Sequence, residues 1–107
     1  MAFRDTAAVA IKDISISSRP AIAERLRLLR LASGSTSQAA FCASVGIGTT
    51  TWNNYERDLN RISLDEATKV VQRFGVTLDW IYYGDEKGLP LALATALREL
   101  QKSAKTA

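Results

Sequence analysis

Residues 38–56 read QAAFCASVGIGTTTWNNYE, and they predict two short helices joined by a tight turn. The first helix is predicted over about residues 38–45, with an inward side formed by Phe41, Cys42 and Val45. Gly46 is expected to end this helix, because glycine adopts a positive φ angle without a penalty from a Cβ atom. Ile47 is expected to fill the turn, and Gly48 is a tolerated N-cap for the helix that follows. The second helix is predicted over about residues 49–57.

The second helix is predicted to have one apolar side and one polar, uncharged side. Trp52 and Tyr55 are three residues apart and share the buried side. The outward side chains are amides and hydroxyls, namely Thr49, Thr50, Asn53 and Asn54. No charged residue occurs from residue 38 to residue 55, whereas an ordinary solvated helix surface usually carries Lys and Glu. The alternative interpretation of these exposed residues is a capped, threonine-rich surface helix of an unrelated bundle.

These side chains have the chemistry needed to read DNA bases. An asparagine amide can bond to N6 and N7 of adenine together, and a threonine methyl group can pack against the methyl group of thymine. A pair of helices joined by a short turn, with such a second helix, is typical of a helix-turn-helix motif.

The stretch resembles the helix-turn-helix of the Xre/Cro/CI family of phage-type repressors. The matching positions inside the motif are Gln38, Gly46, Ile47, Trp52, Tyr55 and Glu56. Residues 22–30, 63–67 and 75–81 are similar to the first helix, the start of the fourth and the entry into the fifth. The resemblance covers about residues 20–84. The sequence departs from the family at Cys42, Gly48 and Asp58, where the family usually has Ala, Ser and Gly.

The resemblance implies an all-α fold, a five-helix lambda-repressor-like domain with helix-turn-helix. Residues 20–84 would form this domain, preceded by an arm at residues 1–19 that is either disordered or a short strand. Residues 85–107 would form a tail with an additional helix over about residues 91–102, because three leucines recur on one face: Leu93, Leu97 and Leu100. Such a stripe must be buried, either in a homodimer interface, which we expect, or beside the first helix of the same chain.

Other parts of the sequence indicate where the remaining helices begin and end. Pro20 suits the first turn of the helix that opens the domain, ahead of the helix-turn-helix, and Gly34 is expected to end that helix. Ser63 and Glu66 form a capping box before the fourth helix. One of Ser35, Thr36 and Ser37 is expected to cap the helix predicted over about residues 38–45. Thr77 is expected to cap the fifth helix of the domain.

Composition excludes several kinds of chemistry. The chain has 107 residues, one cysteine and no histidine, so neither an intrachain disulfide nor a Cys/His zinc site can form. We identify no catalytic residue, metal ligand, cofactor or small-molecule ligand, and Cys42 is interpreted as a small buried residue. No uninterrupted apolar run is long enough to span a membrane, and the single cysteine fits a reducing cytoplasm.

The charge distribution leaves two interpretations of the arginines. The net charge is +3, which permits nucleic-acid binding without requiring it. Arginines cluster in the first helix at Arg25, Arg27 and Arg30, where they are either a basic patch or ordinary solvated helix charges. Arg57 and Arg61 flank the second helix of the motif, a position that favours contact with phosphates.

The resemblance therefore implies a sequence-specific regulator that binds double-stranded DNA, a repressor acting as a dimer on a palindromic operator. Base edges would be read by Thr49, Thr50, Asn53 and Asn54. The DNA backbone would be held by Gln38, Arg57, Asn60 and Arg61. The alternative is a protein-interaction module, such as the antitoxin of a toxin-antitoxin pair, that uses the leucine stripe as its contact face. An enzyme is a distant third.

Overall fold

The computed structural model describes residues 19–35 and 37–106, which form six helices and no strand. The helices are α1 (Arg19–Ala32), α2 (Gln38–Val45), α3 (Thr49–Glu56), α4 (Leu64–Phe74), α5 (Leu78–Tyr83) and α6 (Leu91–Thr106). This architecture, five helices followed by one more, confirms the predicted fold class. The predicted arm of residues 1–19 lies outside the described residues, except for Arg19, which begins α1.

Hydroxyl side chains start three of the helices. Ser37, Ser63 and Thr77 each accept a hydrogen bond from the amide three residues later, at 3.1, 3.2 and 2.9 Å. Each bond satisfies one of the amides that a helix leaves unpaired at its first turn. Ser37 is therefore the cap of α2 among the three candidates. The Glu66 carboxylate of the predicted capping box lies 3.3 Å from the Lys69 ammonium group.

Two residues with left-handed backbone angles lie on either side of α3. Gly46 has a φ of 78°, and the amides of Gly46 and Ile47 both donate to the Cys42 carbonyl, at 2.8 and 3.2 Å. Asp58 has a φ of 61°, a conformation that is uncommon outside glycine but several times more frequent for Asp and Asn than for other residues. The family's preference for glycine at the position of Asp58 thus has a backbone cause, and aspartate is a tolerated substitute.

The core is centred on α1 and on a cluster of aromatic rings. Leu26 and Leu29 of α1 are fully buried. The Phe41 ring stacks on Phe74, with 5.2 Å between centroids, and tilts against Trp52 at 4.7 Å. Because these rings come from α2, α4 and α3, they join the helix-turn-helix to the fourth helix.

The sixth helix packs against α1 of its own chain. Leu97 is only 2% exposed and belongs to the core, and Leu93 and Leu100 are partly buried against it. Of the two arrangements expected for this stripe, the structure has the intramolecular one. Leu97 is therefore a core residue, and the expected dimer interface at Leu93, Leu97 and Leu100 stays a prediction to which only the partly exposed Leu93 and Leu100 could contribute.

Leu97→Ala is expected to lower the free energy of unfolding by about 2–3 kcal/mol, because truncating a buried leucine removes apolar contacts and leaves a cavity. Leu91, at the start of the same helix, is 79% exposed, so Leu91→Ala should change stability by no more than about 0.5 kcal/mol. Urea unfolding of both variants measures this. Equal and small effects would show that α6 is not packed as described.

Candidate nucleic-acid interface

The turn between α2 and α3 is held by one residue that packs in the core and by one hydrogen bond from α4. Ile47 is 4% exposed and inserts its side chain into the core. The Lys69 ammonium group of α4 donates to the Gly46 carbonyl at 3.1 Å. Its positive charge there also interacts favourably with the negative end of the α2 dipole. The angle between α2 and α3 is therefore set by both core packing and a contact from α4.

Helix α3 has the two sides that the sequence predicts. Trp52 and Tyr55 are buried. Thr49 and Thr50 are exposed in its first turn, while Asn53 and Asn54 are partly buried in its second. Thr50 and Asn54 are four residues apart and share one face, which lies opposite Trp52 at 100° per residue. No hydrogen bond within the described part of the chain engages either asparagine side chain.

The chain after α3 turns back over the end of that helix. The Asn54 carbonyl accepts from the amides of Leu59 and Asn60, at 2.9 and 3.4 Å. Arg57, Asn60 and Arg61 are all exposed on this turn. The structure thus brings the three predicted backbone-binding residues of this region together beside the end of α3.

A buried carboxylate, that of Glu56, links the first three helices, whereas the sequence identified this residue only as a motif position. The Glu56 side chain is 5% exposed. It accepts two hydrogen bonds from Arg30, at 2.7 and 3.0 Å, one from Gln38 at 3.3 Å and one from the Trp52 indole at 2.5 Å. We call this group the Glu56 cluster. The sign of this role in the sequence is that Glu56 is the first charged residue after the uncharged stretch of residues 38–55.

The Glu56 cluster gives structural roles to two residues, Gln38 and Arg30, for which the sequence predicted other roles. Gln38, predicted to contact the DNA backbone, is partly buried and donates its amide to Glu56, which fixes it at the start of α2. Hydrogen bonding to Glu56 is the main cause that raises the pKa of Arg30, so this arginine is held as a charged structural partner.

Arg25 and Arg27 of α1 also bind within the chain. Arg27 pairs with Glu24 at 2.7 Å. Arg25 donates to the Ile81 carbonyl at 2.9 Å, close to the end of α5. The interpretation of Arg25, Arg27 and Arg30 as one basic patch for DNA is therefore not supported.

Glu56→Gln is expected to lower the free energy of unfolding by about 1.5–3 kcal/mol, the range for hydrogen bonds to charged groups. The substitution keeps the size of the side chain but removes the charge that Arg30 faces. Glu24→Gln is the matched control, because its pair with Arg27 is well exposed and exposed pairs contribute at most about 1 kcal/mol. Unfolding curves that shift equally for the two variants would contradict the structural role of the Glu56 cluster.

Cys42 provides a pH-dependent contribution to stability. Burial raises the pKa of its thiol, the Glu56 charge raises it further, and Arg30 lowers it. Because the folded state holds this proton more tightly, the stabilisation is complete below the unfolded pKa of about 8.5 and is lost as pH rises through the folded pKa.

Stability of the natural chain should therefore fall between about pH 7 and pH 9.5, by more than that of Cys42→Ala. Urea unfolding of both proteins at the two pH values measures the difference. The same decrease in both would show that the thiol is not its source. At pH 7 the substitution itself is expected to cost less than about 1.5 kcal/mol, since alanine is close in size.

Within the residues that the structure describes, no group of three His, Cys, Asp or Glu side chains is placed to hold a metal ion. None of the described helices has the length and apolar character needed to cross a membrane.

Comparison with known proteins agrees with the geometry. A family model described as helix-turn-helix matches residues 26–81, which include all of α2, α3 and α4. No curated protein and no solved structure gave a significant match. The family match covers more than half of the chain and is centred on the motif described above. The chain belongs to the family of Xre/Cro/CI-like helix-turn-helix proteins, which are DNA-binding transcription regulators.

Proposed function

We propose that this protein is a repressor that binds a palindromic operator as a homodimer. Two copies would place their α3 helices in successive major grooves, about 34–36 Å apart. Occupancy of the operator would block RNA polymerase. The resemblance to phage-type repressors favours a control circuit of a phage, a prophage or a bacterium, and hence a cytoplasmic location.

The observation that carries this proposal is the outward face of α3. It is polar, uncharged and opposite the buried Trp52, and its asparagine side chains have no partner among the described residues. The amides of Asn53 and Asn54 are not among the buried polar atoms that lack a partner, so they are accessible, and base edges in the major groove offer them both donors and acceptors. We assign base reading to Thr49, Thr50, Asn53 and Asn54, with Thr50 and Asn54 at its centre.

Phosphate contacts would come from the turn after α3. Arg57, Asn60 and Arg61 are exposed there, and such contacts fix the register of the protein on DNA without reading its sequence. Gln38 would add a contact at the start of α2, where its position is set by Glu56.

A homodimer follows from the symmetry of the proposed operator, because two-fold half-sites match a two-fold protein. The leucine stripe of α6 is not part of this proposal, since it packs against α1 of the same chain. The alternative function, a module that binds a toxin through the same stripe, would have only the partly buried Leu93 and Leu100 as its contact residues.

Selection of bound sequences from a random duplex pool tests the proposal. A symmetric enriched motif is expected, because a dimer reads each half-site with the same side chains. Titration with salt should give a log–log slope of about −4 to −7, corresponding to about four to eight released counterions. A slope near zero, or a pool without any enriched motif, would contradict the proposed function.

A further inference from the structure

The turn that follows α3 is fixed at both of its ends. At its start, the Asn54 carbonyl accepts two backbone hydrogen bonds, and Asp58 adopts the left-handed conformation. At its other end, the Tyr82 hydroxyl donates to the Ile62 carbonyl at 2.8 Å. Ile62 is 2% exposed. Residues 57–61, the segment between these points, are thus held in place at both ends. They include the exposed Arg57 and Arg61.

Tyr82 joins this turn to a distant part of the domain. It belongs to α5, which packs on α1 and α4 through buried residues that include Trp80 and Ile81. The hydrogen bond spans 20 positions of the sequence, so the position of the turn depends on the body of the fold and not only on α3.

The phenol is well suited to remain a donor. Burial raises the pKa of Tyr82, Tyr55 raises it further, and the positive charge of Arg61 lowers it. The hydroxyl is therefore protonated throughout the neutral range.

Fixing the turn has a consequence for binding. Side chains and loops that become ordered only on association reduce affinity, whereas a preorganised surface avoids much of that cost. A turn that is already held in one conformation presents its cations to the DNA backbone together. Each phosphate contact that is made releases counterions and contributes to the salt dependence.

We propose that Tyr82 is a positioning residue for DNA-backbone binding: its bond to the Ile62 carbonyl holds the turn so that Arg57, Asn60 and Arg61 meet phosphates. This inference rests on the proposed function and adds a specific residue to it. Tyr82 itself does not contact the DNA in this proposal.

The test compares Tyr82→Phe with Tyr83→Phe. Both substitutions remove only a hydroxyl group, and Tyr83 is 59% exposed on the same helix, so it is a matched control. The probes are the duplex enriched by selection and a duplex of random sequence, each titrated over a range of salt concentrations. A melting curve of each variant shows that the protein remains folded under the conditions of binding.

Tyr82→Phe is expected to weaken binding to both duplexes by the same factor, about 3- to 10-fold per half-site. The magnitude of its salt slope should fall by about 1 per half-site, because one phosphate contact is lost on average. Its melting temperature should fall by about 4–8 °C, the effect expected from one hydrogen bond in a domain of this size. Tyr83→Phe should match the natural chain in all of these measurements.

An unchanged affinity and slope in Tyr82→Phe would overturn the proposal, even if the melting temperature fell, because the hydroxyl would then be only structural. A loss confined to the enriched duplex would also overturn it, since that is the pattern of base reading. Failure of the proposed function has a different signature. Selection with the natural chain would then enrich no motif, and the comparison of Tyr82→Phe with Tyr83→Phe on the random duplex would still report on the turn.

Discussion

Trp52→Ala is expected to lower the free energy of unfolding by about 3–5 kcal/mol, the largest effect on stability of the substitutions considered. Trp52 has no exposed surface, and its ring lies 4.7 Å from Phe41 and 6.2 Å from Tyr55, centroid to centroid. The substitution would leave a large cavity and would also remove the indole donor of Glu56. A domain of this size has a total stability of only about 5–15 kcal/mol, so much of the fold would be lost at physiological temperature.

Trp52→Phe separates the two contributions. It retains an aromatic ring between Phe41 and Tyr55 but removes the hydrogen bond to the Glu56 carboxylate. Urea unfolding of the two variants should therefore give a clearly smaller loss for Trp52→Phe than for Trp52→Ala. If Trp52→Ala unfolded with a loss of less than about 1 kcal/mol, the placement of this side chain in the core would be wrong.

Joint replacement of Thr50 and Asn54 by alanine should remove most of the operator specificity. A good bidentate base contact is worth about 1–3 kcal/mol of discrimination, so each single change should cost about 5- to 150-fold in operator affinity. Together they should cost at least about 25-fold, although neighbouring residues need not be additive. Binding to random duplex should hardly change, because Arg57, Asn60 and Arg61 remain.

The measurement is the affinity of each variant for operator and random duplex, together with its melting curve. Gln72→Ala is the control, since it removes an exposed amide from α4, away from the motif. Melting of the double variant should shift by no more than the equivalent of about 0.5 kcal/mol per site. Unchanged operator affinity in the double variant would mean that this face of α3 does not read bases.

The sequence was most informative where structure is decided by neighbouring residues. Ser63, Gly46 and Thr77 set helix ends through hydrogen bonds and backbone angles that involve only a few positions along the chain. The spacing of Trp52 and Tyr55 likewise identifies the buried side of α3, because a helix repeats every 3.6 residues. These predictions are confirmed.

The sequence was less informative where distant residues meet. Glu56 binds Arg30 across 26 positions and Gln38 across 18, and no local pattern distinguishes such a carboxylate from an exposed one. The leucine stripe of α6 shows that the helix must be buried, but its periodicity is the same whether the partner is α1 or a second chain. The bond from Tyr82 to Ile62 likewise depends on how α5 packs.

Selection from a random duplex pool, performed in parallel with the natural chain and with Asn54→Ala, tests most directly whether α3 reads DNA. The natural chain is expected to enrich a symmetric motif, with half-sites about one helical turn of DNA apart. Asn54→Ala should enrich a motif of the same spacing that has lost its preference at one position in each half, an adenine if the asparagine bonds as proposed. An identical motif from both proteins, or no motif from the natural chain, would contradict base reading by this helix.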